Sequence, residues 1–125
     1  MSTATKITTA DELIRMPADG FRYELVKGEL IKLNPAGFEH GVITQNLSEL
    51  LSQFVKSEKL GLVPTAETGF LLTRDPDTVR APDVPFVTNE QLDRCGLPTS
   101  YFPEAPALAV EVVSPEDTAE KVDTR

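Results

Sequence analysis

One glutamate in this 125-residue chain stands among apolar neighbours. Glu111 lies inside Ala107–Val113, the most hydrophobic run of the sequence, which reads as a β-strand covered on both faces. Side chains alternate along a strand, so Glu111 shares a face with Ala109 and Val113, while Leu108, Val110 and Val112 take the other. An ionised carboxylate buried without a partner is costly, so something must compensate it. Either water at an open sheet end or a basic side chain does so, or a divalent cation does. Asp83 has a related setting, at the mouth of a β-forming run and between Pro82 and Pro85. Alone, it reads equally well as a turn residue capping a strand. Two carboxylates so placed suit a hard cation such as Mg²⁺, which takes one or two of them and keeps waters or phosphate oxygens. Such a site can make hydroxide for in-line attack on a phosphodiester and stabilise the leaving oxygen.

Other polar residues carry weaker signals. Glu24 sits in a hairpin pattern, where pairing across the strands with Lys27 or Lys32 is the direct reading. His40 opens the longest helical pattern, a place where histidines are commonly surface or capping residues. Cys95 has no histidine nearby and reads as structural or incidental. Lys56, Glu58 and Lys59 make an ordinary solvated helix end. Arg74 and Arg80 flank an acidic loop, but their spacing does not require a phosphate.

The elements that position these residues follow from local pattern. Thr9-Ala10-Asp11-Glu12 is a capping box, predicting a helix to about Met16 that Pro17 and the Asp19-Gly20 turn end. Phe21–Val26 and Glu29–Leu33, separated by Lys27-Gly28, predict a β-hairpin. Val42, Ile43, Leu47, Leu50, Leu51, Phe54 and Val55 fall at helical spacing and predict an amphipathic helix over Glu39–Lys59, with Gly61 as its stop signal. Leu62–Leu72 predicts one or two strands broken near Thr68-Gly69, and Thr73–Pro82 a loop. Asp83–Val87 reads as a short strand whose Pro85 suggests a sheet edge or a strand end. Glu90–Cys95 makes one or two helical turns, and a final helix begins near Asp117. Mixed strands around one long helix predict an α/β or α+β domain with a mixed sheet.

Composition narrows the function classes. Twelve Lys plus Arg against twenty Asp plus Glu give a net charge of −8, which argues against binding nucleic acid through a broad basic surface. One cysteine excludes an internal disulfide framework and a cysteine-rich zinc site. No run approaches the roughly 20 apolar residues of a membrane span, and the polar Met1–Thr9 does not resemble a secretory signal. These features predict a soluble cytoplasmic protein of one domain.

Three segments, Tyr23–Leu30, Arg80–Val84 and Val110–Pro115, resemble in this order the Uma-type putative restriction endonuclease family. Pro82-Asp83 followed by Glu111-Val112-Val113 is similar to the PD-(D/E)XK signature of restriction-endonuclease-like nucleases. The likeness runs from about Thr8 to the chain end and includes the single His40. It implies a metal-dependent nuclease core, a mixed sheet flanked by helices with an acidic site at one end. Asp83 and Glu111 would hold Mg²⁺ or Mn²⁺, Glu24 would be an additional acidic residue, and DNA would be the substrate. Family members look longer, so the resemblance also implies a domain incomplete at its C-terminus.

The departure from the signature matters too. Its lysine falls at Val113, and a valine cannot orient water or stabilise an oxyanion as an ammonium does. In the family that lysine is thought to have moved to the following helix. Lys121 is the lysine available there, although alignment puts the expected position just beyond Arg125; by itself Lys121 reads as solvated beside Asp117 and Glu120. Three readings stand: a metal-dependent endonuclease, an inactive binding or regulatory module on the same fold, and a domain in which Glu111 is merely ion-paired. Homodimers are common among nucleases that cut both strands, but no residue here specifies one.

Overall fold

The capping box opens the first element as its spacing predicts. In the computed structural model, which describes residues 7–113, Thr9 Oγ1 accepts from the Glu12 N–H at 3.2 Å, and Glu12 Oε1 accepts from the Thr9 N–H at 3.0 Å. Helix α1 (Ala10–Ile14) follows, burying Ala10 and Leu13. Strands β1 (Arg22–Val26) and β2 (Glu29–Leu33) form the expected antiparallel hairpin, with Leu25 opposite Leu30. Its turn residues Lys27 and Gly28 both have left-handed φ, 50° and 80°, the geometry that matches strand twist across a two-residue loop.

Helix α2 (Phe38–Glu58) is the longest element. It spans the predicted Glu39–Lys59 to within a residue, but its left-handed cap is Lys59 (φ 54°), which bonds back to the last turn, and not Gly61. Gly61 serves a different need. It lies in β3 (Gly61–Leu62), where a Cβ would collide with the Val87 carbonyl. The apolar stripe of α2 is also less covered than its pattern suggests. Val55 is buried, whereas Ile43, Leu47, Leu50 and Phe54 are exposed.

Strands β4 (Phe70–Thr73) and β5 (Thr78–Arg80) form a second hairpin, so part of the predicted Thr73–Pro82 loop is strand. Then come β6 (Val84–Thr88), α3 (Asn89–Cys95) and β7 (Leu108–Val110). One sheet has the order β2-β1-β5-β4 and the other β3-β6-β7. This is an α+β chain. Among the described residues every ladder is antiparallel, and the parallel element is a bridge between Phe70 and Phe102.

Two outcomes on the second sheet correct the sequence reading. Pro85 lies near the start of β6, which suits the strand-end alternative, but β6 is the central strand and not an edge, and Pro85 is fully buried. It is tolerated because β3 is two residues long and pairs only with Val87 and Thr88, leaving one flank of Pro85 without a ladder partner. The run expected to be covered on both faces is paired over Leu108–Val110 alone. Leu108 is 45% exposed there, since β7 has a single neighbour, β6.

The core has two parts. Ala10, Leu13, Leu25, Leu71 and Val79 pack α1 onto the four-stranded sheet. Phe70, Val87 and Phe102 join the sheets, with the Phe70 and Phe102 rings edge-on at 5.8 Å. Buried Asp77 ties the first part together: its Oδ2 accepts the Ala10 N–H at 2.8 Å, and its carbonyl accepts the Gly28 N–H. No helix among the described residues is long and apolar enough to cross a membrane.

Candidate functional site

The site is built at the end of the β6–β7 ladder. Pairing runs Phe86–Leu108, Pro85–Ala109, Val84–Val110. Pairing ends there, and Asp83 and Glu111 are the residues that flank the last pair; continued one step, the register would bring them to one face. The ladder changes character at that step. Asp83 Oδ2 accepts the Val112 N–H at 2.7 Å, so a side chain takes over from the backbone. Asp83 is 4% exposed, and among the described residues its Oδ1 has no hydrogen-bond donor. Glu111 follows β7 and is half-buried, not enclosed within a strand as its sequence context suggested.

His40 is the residue that the sequence undervalues. The first turn of α2 carries it over the same ladder end, where its Nε2 lies 2.9 Å from the Val112 carbonyl and 3.3 Å from Asp83 Oδ2. Buried Thr44, one turn on, puts its Oγ1 3.4 Å from His40 Nδ1. A signal for this existed in the spacing. His40, Thr44, Ser48 and Ser52 recur every fourth residue, making a small polar stripe, and in the structure all four are buried or half-buried. The apolar stripe beside it drew attention to the wrong face.

Glu24 is buried on β1, but not against the lysines of its hairpin. Its register partner is Ile31; its carboxylate turns to β5, where Arg80 Nη1 donates to Oε1 at 3.1 Å and the Ala81 N–H donates to Oε2 at 3.0 Å. Both oxygens thus brace the short segment that leads from β5 to Asp83. Lys121 lies outside the described residues. Cys95 packs against the Phe70, Val87 and Phe102 cluster, and burial together with the neighbouring Glu104 pushes its thiol pKa up, which suits an inert cysteine.

Among the described residues no cluster of three or more His, Cys, Asp or Glu side chains is arranged to hold a metal ion. Carboxylate oxygens are the hard donors that Mg²⁺ and Mn²⁺ prefer, and one or two of them suffice for a Mg²⁺ site completed by water and substrate. Asp83 Oδ1 and the Glu111 carboxylate are donors of that type at the same end of the β6–β7 ladder.

The Uma2 family, described as "Putative restriction endonuclease", matches residues 10–125. The chain belongs to the Uma2 family. A solved structure described as a putative nuclease belonging to DUF820, from Anabaena variabilis, shares its fold with a TM-score of 0.68 and 20% sequence identity. That match covers 93% of this chain and 64% of the other, so the Uma2 chain described here spans under two thirds of the solved nuclease's length. No curated protein matches the chain. The restriction-endonuclease assignment expected from Tyr23–Leu30, Arg80–Val84 and Val110–Pro115 is therefore borne out at the level of family.

Proposed function

We propose that this Uma2 chain is a cytoplasmic restriction-endonuclease-like domain, part of a Mg²⁺- or Mn²⁺-dependent endonuclease that hydrolyses phosphodiester bonds in DNA. The observation that carries this reading is the β6–β7 register: its last pair, Val84–Val110, is flanked by Asp83 and Glu111 where the ladder opens. Asp83 Oδ1 and Glu111 would hold the ion. When bound, the ion supplies Lewis-acid stabilisation of charge on the scissile phosphodiester. Asp83 Oδ2 is committed to Val112, which fixes the direction in which Oδ1 is offered. Glu24 acts at one remove, holding the Arg80–Asp83 segment in place through Arg80 and Ala81. The ammonium that Val113 cannot supply is left to a lysine of the following segment, for which Lys121 is the candidate within this chain.

Two features favour a second reading, a nuclease fold that binds without cutting: valine at the signature lysine position and a net charge of −8. One experiment separates the two. Supercoiled plasmid is incubated with the protein and Mg²⁺ or Mn²⁺, beside Asp83→Ala and Glu111→Ala. Endonuclease activity predicts metal-dependent nicking that both substitutions reduce to the metal-free background. Absence of nicking, with Mn²⁺ still bound in a calorimetric titration, selects the inactive module.

A further inference from the structure

We propose that His40 is a positioning residue that, with Asp83, stands in for a missing strand neighbour and so fixes Glu111 at the site. The proposal rests on the metal-site reading above but is carried by separate geometry. In an extended strand the N–H and C=O of one residue point the same way, and an antiparallel neighbour answers both with its own C=O and N–H. At Val112 two side chains answer instead. Asp83 Oδ2 accepts its N–H at 2.7 Å, and His40 Nε2 meets its carbonyl at 2.9 Å.

The carbonyl can only accept, so Nε2 carries the hydrogen and Nδ1 is left to accept from Thr44 Oγ1. The two answering groups also touch each other, Nε2 to Oδ2 at 3.3 Å, closing a ring around the Val112 backbone. His40 is 15% exposed and Asp83 5% in their side chains, so water competes poorly for these bonds. Glu111 immediately precedes the clamped residue. Holding both polar groups of Val112 restricts the backbone that carries Glu111, and so the direction in which its side chain leaves the end of β7. The pairing joins α2 to the second sheet at the one place where the ladder has run out.

The test uses metal-free ¹⁵N-labelled protein and the variants His40→Gln, which keeps an N–H donor at similar reach, and His40→Leu, which keeps volume without a donor. Amide exchange at Val112 reads the clamp directly, and calorimetry with Mn²⁺ reads its consequence. For His40→Leu the expected results are faster Val112 exchange and Mn²⁺ affinity weaker by about 10-fold or more, the scale for groups that orient metal ligands. His40→Gln restores both towards wild type. Thr44→Val, which removes the Nδ1 partner, gives a smaller loss in the same direction and serves if His40→Leu does not fold. Wild-type Val112 exchange in the folded His40→Leu protein overturns the clamp. Loss of Mn²⁺ binding in both His40 variants, with Val112 protected in His40→Gln, overturns positioning in favour of direct coordination. If Asp83→Ala and Glu111→Ala bind Mn²⁺ as wild type does, the metal-site reading fails, while Val112 exchange still decides the clamp.

Discussion

Glu24 and Arg80 form an ion pair in which the carboxylate side chain is 3% exposed and the guanidinium 22%. Surface pairs contribute little, but a buried carboxylate stripped of its partner is left with its desolvation cost. Arg80→Met is therefore expected to lower unfolding free energy by about 3 kcal/mol in urea denaturation. Glu24→Leu/Arg80→Met, which removes both charges, should lose less than the sum of the single variants, since neither charge is then orphaned. The pairing also explains why Glu24 was hard to read. Lys27 and Lys32 are its near neighbours in sequence, whereas its partner lies on a strand that the sequence does not announce. Asp83 and Glu111 stand out in the sequence because each carboxylate sits in an apolar or proline-stiffened context that demands compensation. His40 does not, because its contact is with the Val112 backbone, which no side-chain pattern encodes.

At the scale of elements, caps and turns proved the most readable features. The Thr9–Glu12 box, the Lys27-Gly28 turn and the α2 periodicity are local, and each produced its element. Strand β5 has only three residues, and its pairing with β1 links residues far apart in sequence, so the run looked like loop. Pro85 misled for a related reason: whether a strand has neighbours on both flanks is a property of the sheet. Helix α2 shows the limit of periodicity most plainly, because an apolar stripe says that a face exists and not what covers it. The two sides of that stripe should respond differently to substitution. Val55→Ala, at a site 2% exposed, is expected to cost about 2 kcal/mol. Leu50→Gln, at a site 66% exposed, should stay within about 0.5 kcal/mol of wild type by the same urea titration.

For the molecule as a whole, acid stability depends on which of its 20 carboxyl groups are held ionised. Arg94, 2.6 Å away, and then Gln91 hold Glu104 at about 2, well below its ordinary value of 4.5. The unfolded chain takes up that proton first. Stabilisation by Glu104 is thus fully present above about pH 4.5 and lost as the pH falls towards 2. Urea midpoints measured from pH 6 down to 2.5 should fall more steeply for wild type than for Glu104→Gln, which starts lower at neutral pH. A different property follows from the surface of α2. Ile43, Leu47, Leu50 and Phe54, spaced by four, three and four residues, give the folded chain a greasy ridge of the kind by which folding intermediates become aggregation-prone. Because this ridge is exposed in the folded state as well, strengthening the core would lower the unfolded population without covering it.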